Sequence, residues 1–340
     1  MAKKMKVTQL RYIYEMTISS SPHVHSPVTT QTIMRDVIIG LLPALVGSVV
    51  FFGFRALTVT LVSMAACVFF EWLYCKLMKV GNKTYDLSAC VTGMLLAFVC
   101  PVTIPYWTIV LGAAFAILLV KMLFGGLGRN IVNPALAGRA FMFSWPVLMS
   151  TWVKVGFENA ANPFKAVDVV TAATPLAAMH QGYFDPAAGT LKAMFLGNVG
   201  GCIGETSALL LLLGFGYLLL RKVITPRIPL SYLGTVAILA FLFPQGNDRI
   251  TWMLAQLFGG GVMLGAIFMA TDYVTSPLTK LGQIIYGIGC GVLTIMIRYF
   301  GGYNEGVSYA ILCMNLTVVL LDRVGRPIKF GAPKKEAAKE

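Results

Sequence analysis

Ten apolar runs of 15–21 residues recur along this chain, and nothing else in the sequence restricts its fold as strongly. They cover 36–53, 56–75, 86–100, 104–124, 134–150, 204–222, 230–244, 250–270, 283–300 and 306–322. A helix needs about 20 apolar residues to cross the hydrocarbon core of a bilayer. In lipid the backbone must satisfy its own hydrogen bonds, so helices are the natural form for such runs. The shorter ones are expected to be tilted or broken. Only 12% of the 340 residues are charged, against about 25% in soluble domains. The expectation is an all-α polytopic membrane protein with about ten transmembrane helices, an internal duplication and helix breaks.

The net charge of +13 does not read as a nucleic-acid surface, because the bases cluster between the apolar runs. With the N-terminus cytoplasmic, 21 Lys and Arg fall on the cytoplasmic side and six on the other. That bias predicts both termini inside. The segments are then a cytoplasmic arm (1–35), a first membrane half (36–150), an extracytoplasmic segment (151–203), a second membrane half (204–322) and a cytoplasmic tail (323–340). The first run begins near Val37, too late and too long for a cleaved leader. Seven scattered cysteines without a CxxC support neither zinc nor a disulfide framework. His23, His25 and His180 do not make a metal site.

LSACVTGMLLAFVCP (87–101) matches LSYLGTVAILAFLFP (230–244) at seven of fifteen positions, an offset of 143. The same offset carries Pro134 onto Pro277. Transporter-like folds are often built from duplicated halves with a site between them. The span count makes the two copies parallel, and one missed half-helix would reverse that. Residues 191–203 are a candidate half-helix.

Three clusters carry possible chemistry. In FGGLGRNIVNPALAGRAF (124–141), Arg129 and Arg139 can bind phosphate or a carboxylate, and Asn130 and Asn133 can hydrogen-bond a heterocycle or cap a helix. The plain alternative is a tight interhelical turn with orientation-setting arginines. In NVGGCIGETSALL (198–210), Glu205 is either a favourable acid at a helix start or a ligand for a cation, a proton or a flavin. In FMATDYVTSPLTKLG (268–282), Asp272 with Thr271, Thr275 and Ser276 either coordinates a small cation or forms a capped break before Pro277. Asp36, Glu71, Asp86 and Asp322 lie near span ends, where a lone acid is usually solvated. VDVVTAATPLAA (167–178) reads as a turn of small residues.

Taken together, GGLGRNIVNPALAGRAF, DVVTAATPL, GNVGGCIGETSALLLL and MATDYVTSPLTKLGQIIYG resemble, in this order, the RnfD family, the D-type membrane component of the Rnf complex. The B-type component of the sodium-pumping NADH:quinone oxidoreductase is its paralogue. The resemblance runs from about residue 20 to 327. It implies a threonine that carries FMN through a phosphoester, and the matching residue is Thr174, with Asp168 and Thr171 in the recognition motif. Ala172 stands where glycine is more usual. Arg129 and Asn133 are further candidate cofactor contacts, and Glu205 and Asp272 are candidates for ion coupling. A non-covalent riboflavin is also associated with the family. The implied function is a flavin station between reduced ferredoxin and NAD, coupled to Na⁺ or H⁺ transport in a bacterial cell membrane. Implied partners are the other components of the Rnf complex, a second covalent-FMN protein among them, and a flavin transferase. The paralogue generally has a longer N-terminal region; the roughly 35 residues before the first run here favour the Rnf side. On physics alone, a non-redox transporter with duplicated halves or a structural scaffold accounts for the same features.

Overall fold

The computed structural model of the chain describes residues 28–81, 84–153, 174–180, 188–246, 248–301 and 305–324. Asp168 and Thr171 lie outside these residues, as do most of the expected arm and tail. The described residues are organised by helices: α1 (Thr30–Phe52), α2 (Phe54–Leu77), α3 (Ser88–Phe98), α4 (Tyr106–Met122) and α5 (Pro134–Met142). A single turn, α6 (Pro146–Met149), and two short helices, α7 (Pro175–His180) and α8 (Ala188–Leu196), follow. The second half holds α9 (Ala208–Leu220), α10 (Arg227–Leu242), α11 (Arg249–Phe258), α12 (Val262–Met269), α13 (Lys280–Phe300) and α14 (Val307–Leu321).

Every one of the ten expected spans contains helix, and the chain is an all-α polytopic membrane protein. Three helices, α1, α2 and α13, are individually long and apolar enough to cross a membrane. The others are shorter, and their shortness has local causes. Asn133 caps α5 by accepting from Ala135 N and Leu136 N, with Pro134 as the first helical residue. The expected span at 250–270 is two helices, α11 and α12, bent by 62°. Gly260, at φ +62°, makes that bend possible. Arg298 stabilises it by donating to Gln256 O at 2.7 Å and Gly259 O at 2.8 Å, the open carbonyls at the end of α11. The candidate half-helix at 191–203 is helical earlier, as α8, and the chain then leaves helix before Glu205. The latter parts of α4 (Phe115–Met122) and α12 (Gly265–Met269) are π-helical, a form concentrated at functional sites.

Small residues let the helices approach, as lipid-embedded packing requires. A Cβ at Gly214 of α9 would collide with Gly40 O of α1, and one at Gly287 of α13 would collide with Ser231 Oγ of α10. Contacts between α10 and α13 advance together along both helices, from Arg227–Gln283 to Tyr232–Thr294, so these two run parallel. Both start on the side of Pro277 and end on the side of Arg298. The repeat copy in α3 runs the same way, from Ser88 toward Cys100, so the two matched segments are parallel.

Two acids expected to be solvated are not. Glu71 is 2% exposed and pairs with the equally buried Lys121 at 2.9 Å. Asp36 is 4% exposed and accepts from Arg221 and from Tyr217 Oη. A carboxylate in an apolar layer needs a cation or donors, and each of these has found one from another helix. Asp86 stays local, accepting from Ser88 N and Ser88 Oγ.

Candidate functional site

Two clefts lie at opposite ends of α5 and α12. The first is beside Thr174 and has about 350 Å³ of free space, partly open to solvent. Gly200, Gly201, Gly259 and Gly260 line it, so backbone forms much of its wall. Thr174 is buried and caps α7, its Oγ1 accepting from Ala177 N at 3.1 Å. Glu205 and Glu305 line the same cleft. Arg139, at the far end of α5 and 2% exposed, reaches both acids. Its guanidinium lies 3.7 Å from Glu205 Oε1 and donates to Glu305 Oε2 and, at 2.8 Å, to Ser308 Oγ. Neither oxygen of Glu205 accepts a hydrogen bond among the described residues, although both are buried. A Cβ at Gly261 would collide with Glu205 Oε1, so glycine there is what lets the carboxylate sit over the start of α12. Cys202 lies behind, within 4.8 Å of one oxygen of each acid, its thiol donating to Val99 O at 3.3 Å.

The second cleft has about 680 Å³ of free space, partly open, between Ser88, Thr92, Lys121, Asn130, Asn133 and Asp272. Lys121 donates to Ser88 Oγ at 2.7 Å and so links the Glu71 pair to this wall. Asn130 Oδ1 is buried with no hydrogen-bond partner among the described residues. Asp272 is engaged locally, accepting from Thr275 Oγ1 at 3.1 Å and Val274 N at 3.5 Å. The two helix breaks meet here. Asn133 Nδ2 donates to Met269 O at 3.3 Å. Asn315, its amide turned so that nitrogen faces acceptors, accepts from Asn133 N at 3.0 Å and donates to Thr275 O at 3.1 Å. One side chain of α14 thus joins the breaks at Asn133 and Asp272.

Nine residues of α5 separate the clefts, about 13 Å at 1.5 Å per residue. That is less than half of the roughly 30 Å hydrocarbon core. The expected site residues divide accordingly. Thr174 and Glu205 share the first cleft; Asn133 and Asp272 share the second. Asn133 is committed to capping and to Met269, while its neighbour Asn130 keeps a free acceptor. Arg129 is exposed, packs against Gly125 and lines neither cleft, because Gly125, Gly126 and Gly128 carry the chain there through left-handed backbone. Of the two arginines expected to bind an anion, Arg139 does so, with protein carboxylates. Glu305 and Asn315 are additions that the sequence reading does not contain. A lone amide inside VSYAILCMNLTVVLL is the signal that marks Asn315, since buried polar side chains in lipid-embedded helices usually join helices.

Sequence comparison with known proteins covers most of the chain. The family described as NQR2, RnfD, RnfE matches residues 17–331. The D-type subunit of the Na(+)-translocating ferredoxin:NAD(+) oxidoreductase complex of Acetobacterium woodii is 46% identical over 95% of this chain and 98% of its own. The D-type subunit of the proton-translocating ferredoxin:NAD(+) oxidoreductase complex of Clostridium ljungdahlii is 44% identical over 93% and 96%. The corresponding subunit of an ion-translocating oxidoreductase complex of Aeromonas salmonicida is 35% identical over 94% and 99%. With matches of this extent, the chain belongs to the NQR2, RnfD, RnfE family.

Proposed function

We propose that this chain is the flavin-bearing membrane subunit of a redox-driven, ion-translocating ferredoxin:NAD oxidoreductase, with FMN esterified through its phosphate to Thr174 Oγ1. The observation that carries the reading is Thr174 on the wall of a glycine-lined cleft that it shares with the buried Glu205. The residues fit the group. Thr174 Oγ1 acts as an acceptor from Ala177 N, and esterification removes only its proton, leaving that bond intact. A tether holds a cofactor at high effective concentration without a dinucleotide-binding fold. When bound, FMN supplies the electron chemistry, and the protein supplies position and field. Thr174 fixes one end, the glycines admit the group closely, and Arg139 offsets one of the two acid charges.

The second cleft suits a non-covalent riboflavin. Asn130 Oδ1 is an orphaned acceptor there, and Ser88, Thr92 and Thr271 add hydroxyls to an otherwise apolar wall. Asn130→Ala is expected to lose acid-extractable flavin while keeping the covalent one. Retention of both would remove Asn130 from that role.

Ion coupling rests on Glu205 and Asp272, one at each cleft. Glu205 is the more open ligand, because the oxygens of Asp272 already serve its own turn. The names of the relatives divide between Na⁺ and protons at nearly equal identity, so overall likeness does not choose the ion. The partners are the other components of such a complex, a second covalent-FMN protein among them, and a flavin transferase. The basic loops orient both termini to the cytoplasm of a bacterial cell and put residues 151–203 outside.

The test is in-gel flavin fluorescence of the denatured chain, co-expressed with its transferase. Wild type and Thr171→Ala are expected to fluoresce and Thr174→Ala to be dark. A dark wild type, or a fluorescent Thr174→Ala, contradicts the assignment.

A further inference from the structure

Beside the Thr174 cleft, Cys202 holds a sulfur that has no part in the function above. We propose that Cys202, Glu205 and Glu305 form a binding site for a thiophilic divalent cation of the Zn²⁺ and Cd²⁺ class, entered from that cleft. One atom from each residue lies within 4.8 Å of the other two. Tetrahedral zinc bound by thiolate and carboxylate brings its ligand atoms to about 3.5 Å apart. Closing by about an ångström is within reach of a glutamate rotamer. Glu205 is the second, independent sign of a ligand: it is 7% exposed, lines the cleft, and neither of its oxygens accepts a hydrogen bond among the described residues. Its one ionic contact, the Arg139 guanidinium at 3.7 Å, is longer than a hydrogen bond, so its oxygens keep lone pairs for a cation.

The charges balance. On binding, the Cys202 S–H bond breaks, a metal–sulfur bond forms and the proton leaves to solvent. Two carboxylates and one thiolate then face the divalent cation and the Arg139 guanidinium, a neutral set. Arg139 stays in place, held by Ser308 Oγ at 2.8 Å and lying over the Phe143 ring at 5.4 Å. Arg298 is occupied on the far side of the Gly259–Gly261 turn by Gln256 and Gly259 carbonyls. Three protein ligands leave a fourth position open to the cleft. A pure sodium or proton site has no use for sulfur, a soft ligand that selects thiophilic metals. The consequence rests on the role proposed for Glu205: a bound divalent ion occupies the oxygens that the transported ion needs, and stops transport.

The experiment adds Cd²⁺ to the detergent-purified complex and follows the cadmium–thiolate charge-transfer absorption, with equilibrium dialysis for stoichiometry. Wild type is expected to gain one tight equivalent that Cys202→Ser lacks and the Cys313→Ser control keeps. Glu205→Gln and Glu305→Gln are each expected to weaken Cd²⁺ binding by about tenfold or more through loss of one ligand. An unchanged absorption and stoichiometry in Cys202→Ser overturns the site, as does full affinity in both glutamate variants. Ion uptake by vesicles is measured in parallel. Tight Cd²⁺ binding at Cys202 with undiminished uptake leaves the metal site standing and removes Glu205 from the ion path.

Discussion

Lys121 and Glu71 meet at 2.9 Å with both side chains almost wholly shielded, and their bond shows what single residues decide here. Removing one partner of a buried pair leaves an uncompensated charge and destabilises by about 3–5 kcal/mol. Lys121→Met is therefore expected to lower the thermal stability of the detergent-solubilised protein by that order, and Lys121→Met with Glu71→Leu to recover most of it. A double variant as unstable as the single would show that the pair is not the cause. In the sequence each residue stands at the end of an apolar run, where a charge ordinarily meets water. Nothing local says that the π-helical end of α4 carries Lys121 against α2. Glu205 and Arg139 are each legible as ligands in the sequence. Their meeting is not, because it depends on how α5 ends against the segment before α9. Glu205→Gln is expected to abolish ion uptake while the covalent flavin remains, and unchanged uptake would dismiss it.

Among elements, the helix breaks matter more than the long spans. Helix forms in all ten expected places, since hydrophobic length is a local property that lipid reads directly. Bends are different: the 62° turn at Gly259–Gly261 is held by Arg298 from α13, a partner distant in sequence. Asn315 plays the same part where the breaks at Asn133 and Asp272 meet. Asn315→Leu leaves Asn133 N and Thr275 O without their partner, at about 1–3 kcal/mol for each buried group. A clear fall in melting temperature, with loss of acid-extractable flavin from the adjacent cleft, is expected. Unchanged melting and flavin content would mean that the breaks hold together without it.

For the whole molecule, the consequence is two clefts separated by far less helix than a bilayer is thick. Clefts at the two ends of α5 leave about 13 Å of helix between them, against roughly 30 Å of hydrocarbon core. Charge counting proposes which side is which, and the bias persists with the buried Lys121, Arg139 and Arg298 set aside, since most of the remaining bases fall in the loops it assigns to the cytoplasm. Gln245→Cys, in the exposed turn between α10 and α11, is expected to react with an impermeant maleimide from outside intact cells, and Thr225→Cys only after lysis. The reverse pattern would invert the molecule and place Thr174 inside. The most direct measurement concerns Thr174 itself. Trypsin releases residues 166–192 as one peptide, bounded by Lys165 and Lys192. Its mass is expected to exceed that of the bare peptide by FMN less one water, with fragmentation assigning the addition to Thr174. A bare peptide from the mature complex, or an addition on Thr171, would contradict the account.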